Sequence, residues 1–480
     1  VRRLAWLALP LVLASACTLA PRYERPAPPV PAQWPAGPAY LPATDGPAGL
    51  PWREVLKDAR LQTVVERALA NNRDLRATVA NAIAARALYR VQRSALFPTL
   101  GVQASGAISR RLHGSTDAAT SDSSSSGSTG VGASTQASAT NSYQAYAGVS
   151  AFELDLFGRQ RSLTASAFQQ YLATEAGLRS ARITLVAETA AAYAALAADT
   201  DLLGIATNLQ KSAERTLELT QTLHDAGLAA GTDVANARTV VAQARADIEL
   251  QMTRVAQDRN ALELLVGAPV EDALLPASLE ELDRSVGNVP AGLSSTVLLA
   301  RPDVLSAEHL LRSANENIGA ARAAFFPTIS LTAAIGVASK ELSTLFDRGS
   351  AGWSVQPSAT LPLLGGPRRP NLAYAKAERE YRLAQYERAV QGAFRDVADG
   401  LARRGTIDRQ RAAQADLVAA AEQSYRLAQA QYQAGAETFL NALVSQRTLY
   451  GAQQSLVSTI LTDVDNRISL YQYVGADDVR

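Results

Sequence analysis

"NRDLRATVANAIAARALYRVQRSALFPTL", Asn72 to Leu100, lines up without a gap against "RPDVLSAEHLLRSANENIGAARAAFFPTI", Arg301 to Ile329, at a constant offset of 229. Asp74 meets Asp303, and Phe97-Pro98-Thr99 meets Phe326-Pro327-Thr328. Further on, Leu154 meets Leu361 at an offset of 207, Gly227 meets Gly435 at 208, and Val266-Gly267-Ala268 meets Val474-Gly475-Ala476, again at 208. Such an internal repeat means that one succession of elements is built twice. Between Leu100 and Leu154 the offset drops by about 22, so the first copy carries an insertion there. That interval holds "HGSTDAATSDSSSSGSTGVGASTQASATN", His113 to Asn141, which has almost no large apolar residue and cannot order itself by burial. A linker between domains would not sit inside one repeat unit. The segment therefore reads as a long loop joining two paired strands.

The flanking strands show directly. Ile329, Leu331, Ala333, Ile335 and Val337 alternate with Ser330, Thr332, Ala334, Gly336 and Ala338, a period of two. Leu100, Val102, Ala104, Gly106 and Ile108 do the same, as do Trp353, Val355, Pro357, Ala359 and Leu361. Tyr143 to Ala151 is the weakest case. About ten residues of alternating polarity, with Phe97, Tyr143, Phe326 and Trp353 near the ends, suit a transmembrane strand with one face in lipid and the other in a wet lumen. A soluble sandwich gives the same alternation. The N-terminus decides between them.

Arg2 and Arg3, the apolar run Leu4 to Leu13 and the small residues Ala14, Ser15 and Ala16 have the layout of a secretory signal peptide. Cys17 follows, the only cysteine in the chain, placed like the acylated cysteine of a bacterial lipoprotein, although Ala14 stands where such signals usually have leucine. Thr18, rather than aspartate, comes next, which in such lipoproteins favours the outer membrane. Beyond residue 16 there is no run of 18 apolar residues; Leu178 to Ala198 comes nearest, interrupted by Arg179, Arg182 and Glu188. A membrane crossing must then be made by strands.

Between the strand pairs the chain is helical. Neither Arg159 to Ala268 nor Asn371 to Arg480 contains proline, and thirteen alanines lie between Gln160 and Thr200, small enough for close helix approach. Leu196, Leu203, Gln210, Leu217 and His224 suggest a heptad seam. Each stretch breaks at one tip, "HDAGLAAGTD" around Gly227 and "YQAGAETFLN" around Gly435, with Thr232 or Thr438 placed to cap the outgoing helix. A helix of about 65 residues before each tip would be roughly 100 Å long.

Composition excludes more than it proposes. With 46 basic and 45 acidic residues the net charge is +1, which predicts no nucleic-acid partner. His113, His224 and His309 have no metal-ligand spacing, and there is no phosphate-binding glycine loop or nucleophile elbow, so no enzyme is expected. A lipid-anchored coiled-coil spacer has no use for four alternating strands. Four strands alone cannot close a barrel in lipid, so the protomer must share one.

Four stretches together resemble the outer membrane factor family, the TolC-like exit ducts of tripartite efflux pumps, especially the lipoprotein members that serve resistance-nodulation-division pumps. They are "PRYERPAPPVPAQW" (Pro21 to Trp34), "DARLQTVVERALANNRDLRA" (Asp58 to Ala77), "LARPDVLSAEHLLRSANENIGAARAAFFPTISL" (Leu299 to Leu331) and "YQAGAETFLNALVSQRTLYGAQ" (Tyr432 to Gln453). The resemblance implies an α+β membrane protein: a homotrimer with a twelve-stranded β-barrel, four strands per chain, continued by a twelve-helix α-barrel tunnel. It also implies an equatorial region from about Tyr23 to Arg60, Pro269 to Ala300 and the C-terminal residues. The segments are then a signal peptide 1–16, a lipidated N-terminal and equatorial segment 17–60, a helix 61–97, a barrel hairpin 98–157 with loop 113–141 and a helical hairpin 158–268. After an equatorial segment 269–300 come a helix 301–326, a barrel hairpin 327–364, a helical hairpin 365–475 and a tail 476–480.

In similar proteins the periplasmic tip is closed by side chains after the second glycine turn. Matched by position, Leu440 is the constricting leucine and Arg447 belongs to an ionic network, while Val444 stands where the pattern usually has aspartate. Gly227, Leu228, Thr232, Asp233, Gly435, Thr438 and Asn441 would meet the hairpin of a periplasmic adaptor protein. The other implied partners are an inner-membrane resistance-nodulation-division transporter and outer membrane lipid. No cofactor is implied beyond the covalent lipid on Cys17. The exported cargo would be drugs or other small toxic compounds, with secreted protein or metal ions as the alternatives.

Overall fold

The two halves of the chain run through the same succession of elements in the computed structural model, which describes residues 18–41, 51–110, 139–288 and 295–474. The signal segment 1–16, Cys17, most of the serine-rich loop and the tail 476–480 lie outside the described residues. Helices α1 (Trp52–Val55), α2 (Ala59–Asn71) and α3 (Arg73–Ser94) lead into strands β1 (Leu100–Arg110) and β2 (Ala139–Leu154) and the helices α4 (Arg159–Asp225) and α5 (Gly231–Val266). After α6 (Leu279–Ser285) come α7 (Pro302–Ala323), β3 (Thr328–Ser339), β4 (Ala351–Thr360), α8 (Arg368–Gln433) and α9 (Phe439–Val474). Counterparts have nearly equal lengths: α3 and α7 have 22 residues each, α5 and α9 have 36, and α4 and α8 have 67 and 66.

The single helix expected over 61–97 is two. Asn72 divides α2 from α3: its Oδ1 accepts from the Leu75 N–H at 2.8 Å, an N-cap, and its Nδ2 donates to the Leu265 carbonyl at 2.8 Å. A buried asparagine that caps one helix while gripping another holds the break in place.

The chain divides into two compact units, one of residues 1–23, 88–167 and 314–378, the other of 24–87, 168–313 and 379–480. The first unit holds an antiparallel sheet in the order β1-β2-β3-β4. Strand β2 is the longest, with 16 residues, although its alternation is the faintest. The reason is a bulge: Val149 lies opposite Ala333 and Phe152 opposite Leu331, so Ser150 and Ala151 share the one residue Thr332. Ala151 adopts φ 51° and its N–H donates to Thr332 Oγ1 at 3.1 Å. The extra residue flips the parity, and Phe152 and Leu154 stay on the face of Ala145, Ala147 and Val149.

The second unit has its core where α1, α2 and α6 meet the long helices. Trp52, Leu56, Leu61, Val64, Val65, Leu279 and Leu282 are almost fully buried there. Beneath them lies a buried charge network. The Arg467 guanidinium donates to the Asp283 and Val286 carbonyls at 2.9 and 2.6 Å and pairs with the Asp283 and Asp463 carboxylates. Arg411 adds 2.7 Å to Asp283, and Arg404 also reaches Asp463. Removing one member would leave a buried charge uncompensated, at a cost of about 3–5 kcal/mol. This network fixes α6 to α8 and α9.

The expected heptad seam of α4 holds at Leu196, 3% exposed, and is displaced beyond it. Ala206, Ala213 and Thr220 are 0, 2 and 0% exposed, whereas Leu203, Gln210 and Leu217, three residues earlier, are half-buried and His224 is exposed. Small side chains make the seam and the leucines flank it, because helices that pack closely need alanine between them. An 18-residue window of α4 reaches a mean hydropathy of 1.2, enough by length and composition for a membrane span, but 61% of it is buried inside the protein. Its apolarity serves the core.

Candidate functional site: an apolar sheet face and two hairpin tips

The sheet register sorts the large side chains of the strands by face. Val102 lies opposite Ala147, Ala147 opposite Ile335, and Ile335 opposite Trp353. Leu100, Val149, Ala333 and Val355 form the next row. The large aliphatic side chains of the four strands, with Phe152 and Trp353, thus share one face. Leu100, Val102, Ile108, Ile335, Trp353 and Val355 are 56–84% exposed on it. In water each such side chain forgoes about 1.5–3 kcal/mol of burial, so this face demands an apolar medium.

The opposite face carries Gln103, Ser105, Gln144, Tyr146, Thr332, Ser354 and Gln356. It is knitted by polar contacts across strands: Tyr146 OH donates to Gln103 Oε1 at 2.7 Å and Gln144 Nε2 to Ser105 Oγ at 3.0 Å. No charged residue lies between Gly101 and Ser109 or between Ala351 and Thr360. Strands β1 and β4 are edges, each paired on one side only. In hydrocarbon an open edge leaves backbone groups without partners.

In the second unit both helical hairpins turn by the same device. Gly227 and Gly435 take φ +77° and +72°, a left-handed conformation that a Cβ disfavours. The Gly227 N–H donates to the His224 carbonyl and the Leu228 N–H to the Leu223 carbonyl, both at 2.8 Å. At the other tip the Gly435 N–H donates to Tyr432 and the Ala436 N–H to Gln431, at 3.0 and 2.9 Å. Both are Schellman turns. The outgoing helices differ. Thr232 does not cap α5, which begins one residue before it; instead Asp233 Oδ2 accepts from the Ala230 N–H at 3.3 Å, and the Asp233 N–H donates back to the Ala230 carbonyl at 3.0 Å. Thr438 does sit at the N-cap of α9, where its carbonyl accepts from the Asn441 N–H at 3.2 Å and the Glu437 carboxylate binds both its N–H and the Asn441 amide. Leu228 is 77% exposed.

Leu440 and Val444 lie one turn apart on the open side of α9, 60 and 55% exposed, and Arg447 is exposed beyond them with no ion-pair partner among the described residues. The covered side of the same turns carries residues that sequence reading passed over. Phe439, Ala442 and Leu443 pack with Tyr432, Ala213, Ala237, Val240 and Val241 into one cluster joining the two hairpins. Tyr432 meets Phe439 edge to face at 5.5 Å, and its OH contacts Thr220 Oγ1 at 2.8 Å. Seven residues before Tyr432, the Tyr425 OH contacts Ser212 Oγ at 2.6 Å, with Gln446 Nε2 donating to the same hydroxyl at 3.3 Å. The seven-residue steps from 425 to 432 and from 439 to 446 are the signal that could have shown this ladder.

Among the described residues no three His, Cys, Asp or Glu side chains are grouped to hold a metal. His224 Nδ1 contacts the Ala229 carbonyl at 2.9 Å and His309 Nδ1 contacts Gln169 Oε1 at 2.8 Å, both structural roles.

Compared with known proteins, residues 64–268 and 293–476 match the outer membrane efflux protein family. The chain belongs to that family. This outer membrane efflux protein is 41% identical over 477 residues to the probable efflux pump outer membrane protein TtgC of Pseudomonas putida, covering 98% of this chain and 94% of the relative. Outer membrane protein OprJ of Pseudomonas aeruginosa is 39% identical over 436 residues, 91% of this chain and 88% of OprJ. The open state of the Neisseria gonorrhoeae MtrE outer membrane channel superposes with a TM-score of 0.82 at 33% identity, over 96% of this chain and 98% of that one. The protein is accordingly an efflux-pump exit duct of a Gram-negative outer membrane, from a family of transport channels rather than enzymes. The apolar sheet face has the character that this location asks of a surface in contact with lipid.

Proposed function

We propose that three copies of this chain form a duct whose twelve strands close a barrel in the outer membrane and whose helices line a periplasmic tunnel. One observation carries the reading: a sheet whose large aliphatic side chains all share one face, with both edges open. Only added strands can satisfy such edges in lipid, and since two chains would already supply the eight strands of the smallest barrels, the number three rests on the resemblance to the outer membrane factor family. The tips would meet the hairpin of a periplasmic adaptor, with an inner-membrane transporter below. Leu440 and Val444, repeated by threefold symmetry, would set an apolar ring that excludes water, and Arg447 would bind carboxylates or helix-end carbonyls of a neighbouring copy. Relatives are named for efflux of toluene, solvents and antibiotics, which supports small organic compounds as cargo.

Cys17 would carry the acyl chains. The support is positional: Thr18 Oγ1 lies 3.4 Å from Ser162 Oγ, in the first turn of the helix that follows β2, and the Leu19 carbonyl accepts from Arg322 at 3.1 Å, in the last turn of the helix that precedes β3. Each buried methylene contributes about 0.8 kcal/mol, and more than one chain is needed for lasting attachment. Intact-mass analysis should find lipid on Cys17 and residues 1–16 removed; a free thiol contradicts the anchor. The duct is tested by deleting the gene: cells should become sensitive to toluene and drugs and regain resistance on complementation, and unchanged sensitivity overturns the reading.

A further inference from the structure

The ladder between the two hairpins has two rungs with a gap between them. In one rung the Tyr425 hydroxyl contacts Ser212 of α4 and accepts from Gln446 of α9; in the other Tyr432 meets Thr220 and Phe439. Between the rungs stand Thr216 on α4, Gln429 on α8 and the pair Ala442 and Leu443 on α9. They do not fill the space that they share. A cavity of about 460 Å³ remains, walled as well by Leu219 and by the rings of the two tyrosines and Phe439. That volume suits a small organic molecule.

The polar groups of the cavity narrow the choice. Tyr432 and Thr216 are already engaged, the latter through Oγ1 to the Ser212 carbonyl at 2.9 Å, but the half-buried Gln429 amide has no hydrogen-bond partner among the described residues. Arg215 is exposed at the edge of the cavity and has no ion-pair partner among the described residues, whereas the adjacent Glu214 pairs with Arg245 at 2.9 Å. Among the described residues no carboxylate lines the cavity. A cation would meet Arg215 unopposed, and a neutral hydrocarbon would leave Gln429 and Arg215 unused. We propose that the cavity binds a small aromatic carboxylate, its ring among the aromatic side chains and its carboxylate on the Arg215 guanidinium. The bound molecule touches α4, α8 and α9 at once and so ties the two hairpins together, adding its binding energy to the folded tip. One chain builds the whole site, which therefore does not depend on how many copies share the barrel.

Photolabelling of the purified full-length protein in its native assembly tests the site. The probe is para-benzoylbenzoate, an aromatic carboxylate whose ketone, once excited, inserts into nearby C–H bonds. Peptide mass spectrometry should place the label on Leu219, Ala442 or Leu443, and naphthoate should compete it away. Arg215→Gln should lower labelling by this probe about tenfold at limiting concentration, as expected for the loss of one charge-assisted hydrogen bond, and leave labelling by the neutral para-benzoylbenzamide unchanged. Ala442→Phe, which fills the cavity, should abolish both. Label scattered over the surface, or no label at saturating probe because another copy fills the space, overturns the site, as does full labelling of a folded Ala442→Phe protein. Should Ala442→Phe fail to assemble, the Arg215→Gln comparison decides: equal labelling of parent and variant by the carboxylate overturns the ligand class.

Discussion

The two hairpin tips share a backbone and differ in surface. Gly227 and Gly435 make the same turn with the same pair of hydrogen bonds, and in each case a 36-residue helix follows. Carried across by 208, however, Leu440 corresponds to Thr232, Val444 to Asn236 and Arg447 to Thr239. All six side chains are exposed in the protomer, so protomer packing does not account for the change from polar to apolar. The turn is kept while the cap and the side chains on both faces of the outgoing helix change. Leu440 and Val444, 60 and 55% exposed, have no cover within the protomer, which suits positions that meet another copy at a gate.

The largest expected effect separates the tips outright. Leu440→Ala with Arg447→Ala should raise single-channel conductance in planar bilayers several-fold, while Thr232→Ala with Thr239→Ala should leave it near the parent value. Equal effects from both pairs would erase the distinction. Val444→Asp should shift ion preference towards cations with little change in closure, and Asn236→Asp should not; reversal potentials in a salt gradient measure this.

A second difference lies further up the hairpins. Asp258 of α5 corresponds to Asn466 of α9, whose amide donates to the Gly400 carbonyl at 3.0 Å. Burial pushes the Asp258 carboxyl up to about 6, with help from a hydrogen bond to Asp199 and its charge. The folded state therefore holds the Asp258 proton more tightly than the unfolded chain does. That contribution is complete below the ordinary carboxylate value, declines as pH rises towards 6 and is absent above it. Asp258→Asn, which copies the other repeat, should stabilise the protein by about 1–2 kcal/mol at pH 7.5 and hardly at all at pH 3.5. Thermal unfolding at the two pH values checks it, and a gain independent of pH would mean that the cause is not protonation.

The turns themselves should respond alike. Gly227→Ala and Gly435→Ala each meet open space, so only backbone strain remains, about 1 kcal/mol at either tip by denaturant unfolding. The smallest effect belongs to the first tip alone: Asp233→Ala removes the contact to the Ala230 N–H and should cost about 0.5–1 kcal/mol, whereas Asn441→Ala, its counterpart, loses only an exposed amide contact to Glu437. Unequal glycine costs, or equal costs for Asp233 and Asn441, would show that the tips differ in ways that their hydrogen bonds do not record.

What the sequence discloses here is what local chemistry dictates. A left-handed turn asks for glycine, so Gly227 and Gly435 could be read directly, and a strand between two media alternates, so β1, β3 and β4 could be read nearly to their ends. Strand β2 was dim because Ser150 and Ala151 share one partner, and a bulge inverts the pattern on which the reading depends. Beyond Leu196 the α4 seam was misplaced because leucine draws the eye, although close packing requires Ala206 and Ala213. The ladder from Ser212 to Tyr425 and from Thr220 to Tyr432 joins residues 213 and 212 apart, and its partners cannot be matched before the hairpins are set side by side. The gate candidates came from likeness to relatives; their lack of cover within the protomer gives them a physical reason.

The central claim is that the apolar face of the sheet meets lipid. Trp353 stands on that face, 76% exposed, whereas Trp52 is buried and Trp34 stacks on Phe394 at 4.9 Å. Tryptophan fluorescence of the protein reconstituted in bilayers of brominated phospholipid measures the contact directly. Strong quenching by the brominated chains, largely lost in Trp353→Phe, is the predicted result. Quenching of Trp353 by aqueous iodide, with none from the brominated chains, would place this face in water and contradict the account.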